Sequence, residues 1–404
     1  MIYRADWVLP IAGPPVHGGW VAVEDGRVTA VGGPPAPEGA IDLRHVAVLP
    51  ALVNAHTHLE LSHLHRRVPP AARLVDWVRG LLAARREEAD PDAPAVVAAA
   101  RAAITVSLAA GTGLVGEVTN TLVAVPLLAD AGLPAQVFHE VLGFGAPDAA
   151  ALAAAARARI AAATPAPGVP VRLSLAPHAP YSVSPALFAA LAADLDAHGG
   201  RSTVHLAESP EEVEFLARGT GPWRDLLEEL GAWTDAWHPP ASSPVGYLAN
   251  LGVLDGRVAA VHATQCTGED LDRLRALGVC VVACPRSNRH VGVGPPPLEA
   301  FYAMGVTVAL GTDSLASVDT LSVFDELVEA RRLAPRVPAG RLLESATVNG
   351  ARALGFADAM GTIEVGRLAR LIAVRLPDGV ADVEEYLVSG VEPAAIEWLE
   401  AAIA

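Results

Sequence analysis

Four histidines crowd the stretch NAHTHLELSHLH: His56, His58, His63 and His65. Imidazoles so close together raise the question of metal binding. His56 and His58 are two residues apart at the end of an apolar run. Strand side chains alternate faces, so this pair points the same way. His63 and His65 follow at odd offsets from the pair and are expected on a loop. An isolated H-x-H is common by chance. Later apolar runs, however, also end in metal-capable groups: STVHLAE carries His205, RVAAVHA carries His262 and VALGTD carries Asp313. Imidazole and carboxylate donors suit zinc, iron or manganese. Glu208 lies three residues beyond His205, close enough to lean over such a site. The segment ESPEEVEF also reads as an ordinary helix start, which leaves Glu208 open between a proton carrier and a solvated helix acid.

These groups need a scaffold that gathers strand ends. Eight short apolar runs, from HVAVLPALVNAH to GVTVALGTD, each precede a helix-like stretch such as DAAALAAAARARIAAA or GEDLDRLRALG. Strict β/α alternation implies an α/β fold with a parallel sheet. Eight units predict a (β/α)8 barrel with its site at the C-terminal ends of the strands. The first fifty residues read differently. WVAVEDGRVTAVGG alternates around an Asp-Gly turn, a hairpin pattern, and GTIEVGRLARLIAVRL near the far end matches it in character. The expected division is a small β-sandwich module from residues 1–49 and 361–404, with a barrel over 50–360. The connection after the fifth strand is long and holds Trp223, Trp233 and Trp237. It reads equally as a lid or pocket wall and as a surface insertion.

Composition narrows the partners. The chain has 404 residues and a formal net charge of -16, which disfavours nucleic acid and anionic membrane. No uncharged apolar run reaches 18 residues, and the N-terminal stretch does not read as a signal peptide. Three cysteines without a C-x-x-C pair argue for a reducing, cytoplasmic setting. There is no lysine, so neither a P-loop nor a lysine-bridged metal pair is available. His58-Leu59-Glu60 matches half of the H-x-E…P-C-x-x-C deaminase signature, but Cys284 has no second cysteine to complete it.

The ordered motifs PALVNAHTHLELS, APHAPYS, HLAES, VHATQ, CPRSN, LGTDSLAS and GTIEVGRLARL resemble the amidohydrolase superfamily along nearly the whole chain. Within it they are most similar to the mononuclear-metal deaminases of adenosine, methylthioadenosine and S-adenosylhomocysteine, and in NAHTHLELS, HEVLGF, APHAPYSVS, GTGPW and CPRSNRH to aminodeoxyfutalosine deaminases. The resemblance implies one divalent ion, zinc first and iron or manganese as alternatives, on His56, His58, His205 and Asp313. It implies catalytic roles for Glu208, His262 and Asp313, with Glu208 shuttling a proton to a purine ring nitrogen. His178 would contact substrate. Glu140 would either bind a sugar hydroxyl or support a neighbouring group. The implied reaction is hydrolytic deamination of a small 6-aminopurine nucleoside, with 6-aminodeoxyfutalosine of a menaquinone route foremost. Methylthioadenosine, S-adenosylhomocysteine or adenosine, or chlorohydrolase or ring-opening chemistry on the same scaffold, are the alternatives, and a non-catalytic barrel is a remote one. A homodimer is a possible assembly. Ser287 and Asn288 are expected to brace the seventh-strand loop. Arg370, where the family pattern has aspartate, reads as a surface change.

Overall fold

The computed structural model describes residues 1–165 and 168–399. Eight parallel strands form its centre: β1 (Leu52–Thr57), β2 (Thr112–Thr119), β3 (Ala135–Val141), β4 (Val171–Pro177), β5 (Ser202–Leu206), β6 (Val258–His262), β7 (Cys280–Ala283) and β8 (Thr307–Leu310). They read as near-continuous apolar runs because both faces are covered; β1, β2, β3, β5, β6 and β7 are buried at every position.

Strands β1 to β4 form one sheet in sequence order and β5 to β8 another. The two meet at both seams. Between β4 and β5, the His205 N–H donates to the His178 carbonyl (2.9 Å) and Ser202 Oγ to the Leu175 carbonyl (3.0 Å). Between β8 and β1, the Asp313 N–H donates to the His56 carbonyl (3.0 Å), and Asn54 Nδ2 donates to Thr312 Oγ1 (2.8 Å). A Cβ on Gly311 would sit 2.7 Å from the His56 Cβ, so only glycine lets β8 approach β1 this closely. Each seam hydrogen bond involving His205 or Asp313 therefore both joins the sheets and brings a candidate ligand inward. The result is the barrel expected from the β/α alternation, with helices such as Ala149–Ala163 and Gly268–Ala276 between strands.

The chain ends build two further sheets. One has the strand order Arg27–Gly32, Trp20–Glu24, Ile2–Arg4, Ile41–Asp42. The other runs Ile396–Trp398, Leu371–Arg375, Val46–Pro50, Trp7–Val8, Val16–His17. Asp25 and Gly26 both take positive φ (48° and 70°), as a two-residue hairpin turn of the I′ type requires. Tyr3, Val21 and Val28 from the first sheet pack with Val48 and Leu371 from the second. We propose residues 1–49 and 361–404 as one module and 50–360 as the barrel; residues 400–404 lie outside those described.

Arg370 corrects a sequence-based expectation. It is partly buried rather than a surface residue: Nη1 donates to the Gly132 carbonyl (3.3 Å), and its guanidinium lies 5.3 Å from the Trp398 ring. An arginine at this position stacks on the closing sheet's Trp398 and reaches the barrel through its hydrogen bond to Gly132, and an aspartate could make neither contact.

Candidate active site

The C-terminal ends of β1, β5, β6 and β8 converge on one cluster. Ligand-capable atoms of His56, His58 and His205 all lie within 4.8 Å of one another. Asp313 Oδ1 is 3.8 Å from His56 Nε2 and 3.6 Å from His58 Nε2. The backbone makes this possible by leaving ordinary strand conformation. Ala207, His262, Ala263 and Asp313 all have positive φ, at 51°, 72°, 52° and 62°. Such strain in non-glycine residues persists where surrounding contacts enforce it, and it concentrates at functional sites.

The hydrogen bonds commit one side of each group and leave the other open. His205 Nδ1 donates to the His178 carbonyl (3.1 Å), which leaves Nε2 unprotonated and free. Asp313 Oδ2 accepts from Ser287 Oγ (2.6 Å), and Ser287 Oγ lies 2.9 Å from Ser317 Oγ. Oδ1 is left toward the histidines. His56 is fully buried, yet neither ring nitrogen has a hydrogen-bond partner among the described residues. A buried polar atom without a partner is costly, and a cation is the partner that all four groups lack. Burial also holds His56 and His205 well below the usual histidine range, with neighbouring imidazoles adding to the effect. Neutral imidazoles are what a metal needs. The donor set fits a borderline divalent ion held by His56, His58, His205 and Asp313.

Two more groups face the cluster. His262 Nδ1 donates to Asn288 Oδ1 (2.8 Å), and Asn288 Nδ2 donates to Thr264 Oγ1 (2.6 Å). The second bond fixes the amide orientation and hence the His262 tautomer. His262 Nε2 is then 3.4 Å from Glu208 Oε1. Glu208 is buried, and burial, reinforced by the charge of Asp313, pushes its carboxyl well above the usual range. Glu208 is therefore not a solvated helix acid. His178 is half-buried, with Nδ1 2.5 Å from Ser182 Oγ, and burial lowers it to about 4. Glu140 accepts from Asn120 Nδ2 through Oε2 (2.9 Å), and its Oε1 lies 3.5 Å from His205 Nδ1. His63 and His65 stay outside the cluster: His63 Nδ1 binds the Glu60 carbonyl (3.0 Å) and His65 faces Asp319 at 3.9 Å.

Sequence reasoning missed several participants. Ser287 and Asn288 do more than brace a loop: each hydrogen-bonds a site residue. Glu60 holds the backbone N–H groups of Asn120 and Thr121 (3.1 and 3.0 Å) at the cleft. Burial opposes its ionisation, but Arg85 and hydrogen bonds from Thr119 and Thr121 hold it below the usual carboxylate range. Glu117, buried and pushed up by that burial, accepts from the Leu59 N–H (2.9 Å) just after His58. Nothing in residue type separates these acids from surface ones.

The cluster floors a cleft of about 530 Å³, within the range of small-molecule sites. Its far wall is apolar and helical. Trp77 and Leu81 come from helix Leu74–Glu87, and Trp223 and Leu227 from helix Pro222–Glu229. Trp223 stacks on Tyr181 at 3.6 Å, and Trp237 stacks on Phe215 at 4.7 Å. Both tryptophans are buried; Trp223 lines the cleft, whereas Trp237 packs into the core on Phe215.

The amidohydrolase family model matches residues 47–395, most of the chain. The chain belongs to the amidohydrolase family. This amidohydrolase is a hydrolase acting on carbon–nitrogen bonds. It is 34% identical over 349 residues to an aminodeoxyfutalosine deaminase of Deinococcus radiodurans, covering 83% of this chain and 81% of that one. It is 33% identical over 365 residues to a 5-methylthioadenosine/S-adenosylhomocysteine deaminase of Halobacterium salinarum, covering 86% and 78%. Among solved structures it resembles an adenosine deaminase from Xanthomonas campestris with bound zinc, with a TM-score of 0.82 and 28% identity over 99% of this chain and 91% of that one. Among the described residues no helix is long and apolar enough to cross a membrane.

Proposed function

We propose that this amidohydrolase is a divalent-metal-dependent hydrolytic deaminase of a 6-aminopurine nucleoside, with 6-aminodeoxyfutalosine as the foremost substrate and a place in menaquinone synthesis. The observation that carries the reading is the placement of Glu208. Its Oε1 is 3.4 Å from His262 Nε2, at the edge of the His56, His58, His205 and Asp313 cluster. A divalent ion held by those four residues would lower the pKa of water from about 15.7 to roughly 7 and so would supply a nucleophile at neutral pH. Zinc is the proposed ion.

The chain's own residues divide the remaining work. Asp313 Oδ1 accepts a proton from the attacking water while Ser287 holds Oδ2 in place. Glu208, whose burial favours the protonated form, donates to the purine ring nitrogen adjacent to the amino-bearing carbon, which makes that carbon electrophilic. His262 has its tautomer fixed by Asn288 and orients the water and the developing oxygen charge. Asp313 passes the proton it took from water to the exocyclic nitrogen, ammonia leaves as the carbon–nitrogen bond breaks, and the hydroxyl proton released on forming the carbonyl returns to Glu208. His178, with Nδ1 engaged by Ser182, offers Nε2 to substrate. Glu140 stands close enough to His205 Nδ1 to support it, and a sugar hydroxyl is the other partner we assign to it.

Methylthioadenosine and S-adenosylhomocysteine are the second reading, favoured by the nearly equal identity to the Halobacterium relative and by the apolar cleft wall. The test is ammonia release from a panel of 6-aminodeoxyfutalosine, methylthioadenosine, S-adenosylhomocysteine and adenosine, with metal analysis on the same sample. The expected result is about one ion per chain and the highest kcat/KM on 6-aminodeoxyfutalosine. Preference for methylthioadenosine moves the assignment to the second reading. No ammonia from any of the four overturns it.

A further inference from the structure

Glu212 takes no part in the steps above, yet its side chain is fully buried: burial pushes it up to about 8, the Glu208 and Ala207 N–H groups pull it back, and among the described residues no cation is among the groups acting on it. Its surroundings explain why a carboxylate sits there. The chain leaves β5 after Leu206 and turns through a left-handed residue, Ala207. Glu212 Oε1 accepts from the Ala207 N–H (2.9 Å), and Glu212 Oε2 accepts from the Glu208 N–H (2.9 Å). On the opposite side, the Gln265 N–H donates to the Ala207 carbonyl (2.8 Å). The helix Pro210–Arg218 begins at Ser209, whose Oγ accepts from the Glu212 N–H (3.2 Å). The spacing Ser209-x-x-Glu212 is that of a capping box, in which the glutamate ordinarily reaches back to the cap residue itself. Here its oxygens reach the two residues before the cap. One carboxylate thus grips two consecutive peptide groups at the bend that aims Glu208.

We propose that Glu212 is the positioning residue for Glu208: it clamps the 207–208 backbone so that the Glu208 carboxyl stands beside His262 Nε2 above the histidine cluster. This rests on the proton-carrying role assigned to Glu208. The geometry requires two acceptor atoms. A glutamine at 212 would turn an NH2 group against one of the two N–H donors and release one side of the clamp.

The test measures kcat, KM and metal content for Glu212→Gln, Glu208→Gln and the double variant, on the best substrate of the nucleoside panel. Glu212→Gln is expected to lower kcat roughly tenfold to a hundredfold, the scale of lost support around a site, with metal content unchanged and KM within about threefold, since substrate binding is not what it removes. In the Glu208→Gln background the same change is expected to cost nothing further, because the group it aims is already disabled. Three results overturn the proposal: kcat unchanged in Glu212→Gln, a fall explained by lost metal, or an undiminished loss in the double variant. Full turnover by Glu208→Gln overturns both the proposal and the role of Glu208, whereas loss only in Glu208→Gln overturns the proposal alone. Should Glu212→Gln not fold, hydrogen exchange on the unaltered protein decides. The amides of Ala207 and Glu208 are expected to be protected like those of β5, and exchange at the rate of free amides overturns the clamp.

Discussion

The floor and the wall of the cleft are built by opposite means. At the floor, polar side chains on strand ends are locked by directed hydrogen bonds: Ser287 on Asp313, Asn288 on His262, the His178 carbonyl on His205. At the wall, Trp77, Leu81 and Leu227 project from helices and are held by packing. Hydrogen bonds fix angles and tautomers; apolar packing fixes shape and excludes water. The floor is therefore suited to chemistry, where a misplaced proton is costly, and the wall to selecting a substrate by its apolar part. Substitutions at the floor should lower kcat or remove the metal, and those at the wall should raise KM.

The largest effect is expected from Asp313→Ala. It removes a proposed ligand and the proton acceptor together, so metal content should fall well below one per chain and ammonia release should become undetectable. Normal metal content in that variant would break the floor assignment. Next is Glu208→Gln, which should retain the ion yet lose turnover by on the order of a hundredfold or more, as checked by steady-state kinetics beside metal analysis. Asn288→Ala should follow, with a loss of roughly tenfold to a hundredfold in kcat. A rise of the same size in KM alone, with kcat unchanged, would place Asn288 with the wall instead.

At the wall, Leu230 lines the cleft while staying 48% exposed. Leu230→Ala should weaken apolar contact by about 1 kcal/mol, seen as a several-fold rise in KM at constant kcat. The smallest effect belongs to Arg79, which joins helix Leu74–Glu87 to Glu229 of the facing helix at 3.1 and 2.8 Å. This pair is solvent-exposed, so Arg79→Ala should change stability by less than about 1 kcal/mol, measured as a small Tm shift. A large fall in activity from that substitution would mean that the wall is held by this contact rather than by packing.

Much of this difference was legible in the sequence and part was not. The barrel strands announced themselves because burial on both faces demands unbroken apolar runs, and His56, His58, His205 and Asp313 stood out because each ends such a run. Their supporting residues did not. Ser287, Asn288, Glu117 and Glu212 are ordinary polar types whose partners lie on other strands or across a left-handed bend, and spacing alone carries no trace of either. Glu208 was ambiguous for the same reason: a helix-start acid and a buried acid share one sequence pattern, and only the fold of the 207–208 turn separates them. The Trp-rich segment was undecided until Tyr181 and Phe215 appeared against it. Arg370 looked like a surface exchange because nothing in the local motif shows that Trp398 comes to lie beneath it.

The most direct measurement is an anomalous-scattering map from crystals of the protein grown with zinc, collected at the zinc edge. One peak within bonding distance of His56, His58, His205 and Asp313 is expected, with activity abolished by chelation and restored by the ion. A peak elsewhere, or full ammonia release from thoroughly chelated protein, would contradict the metal-centred chemistry.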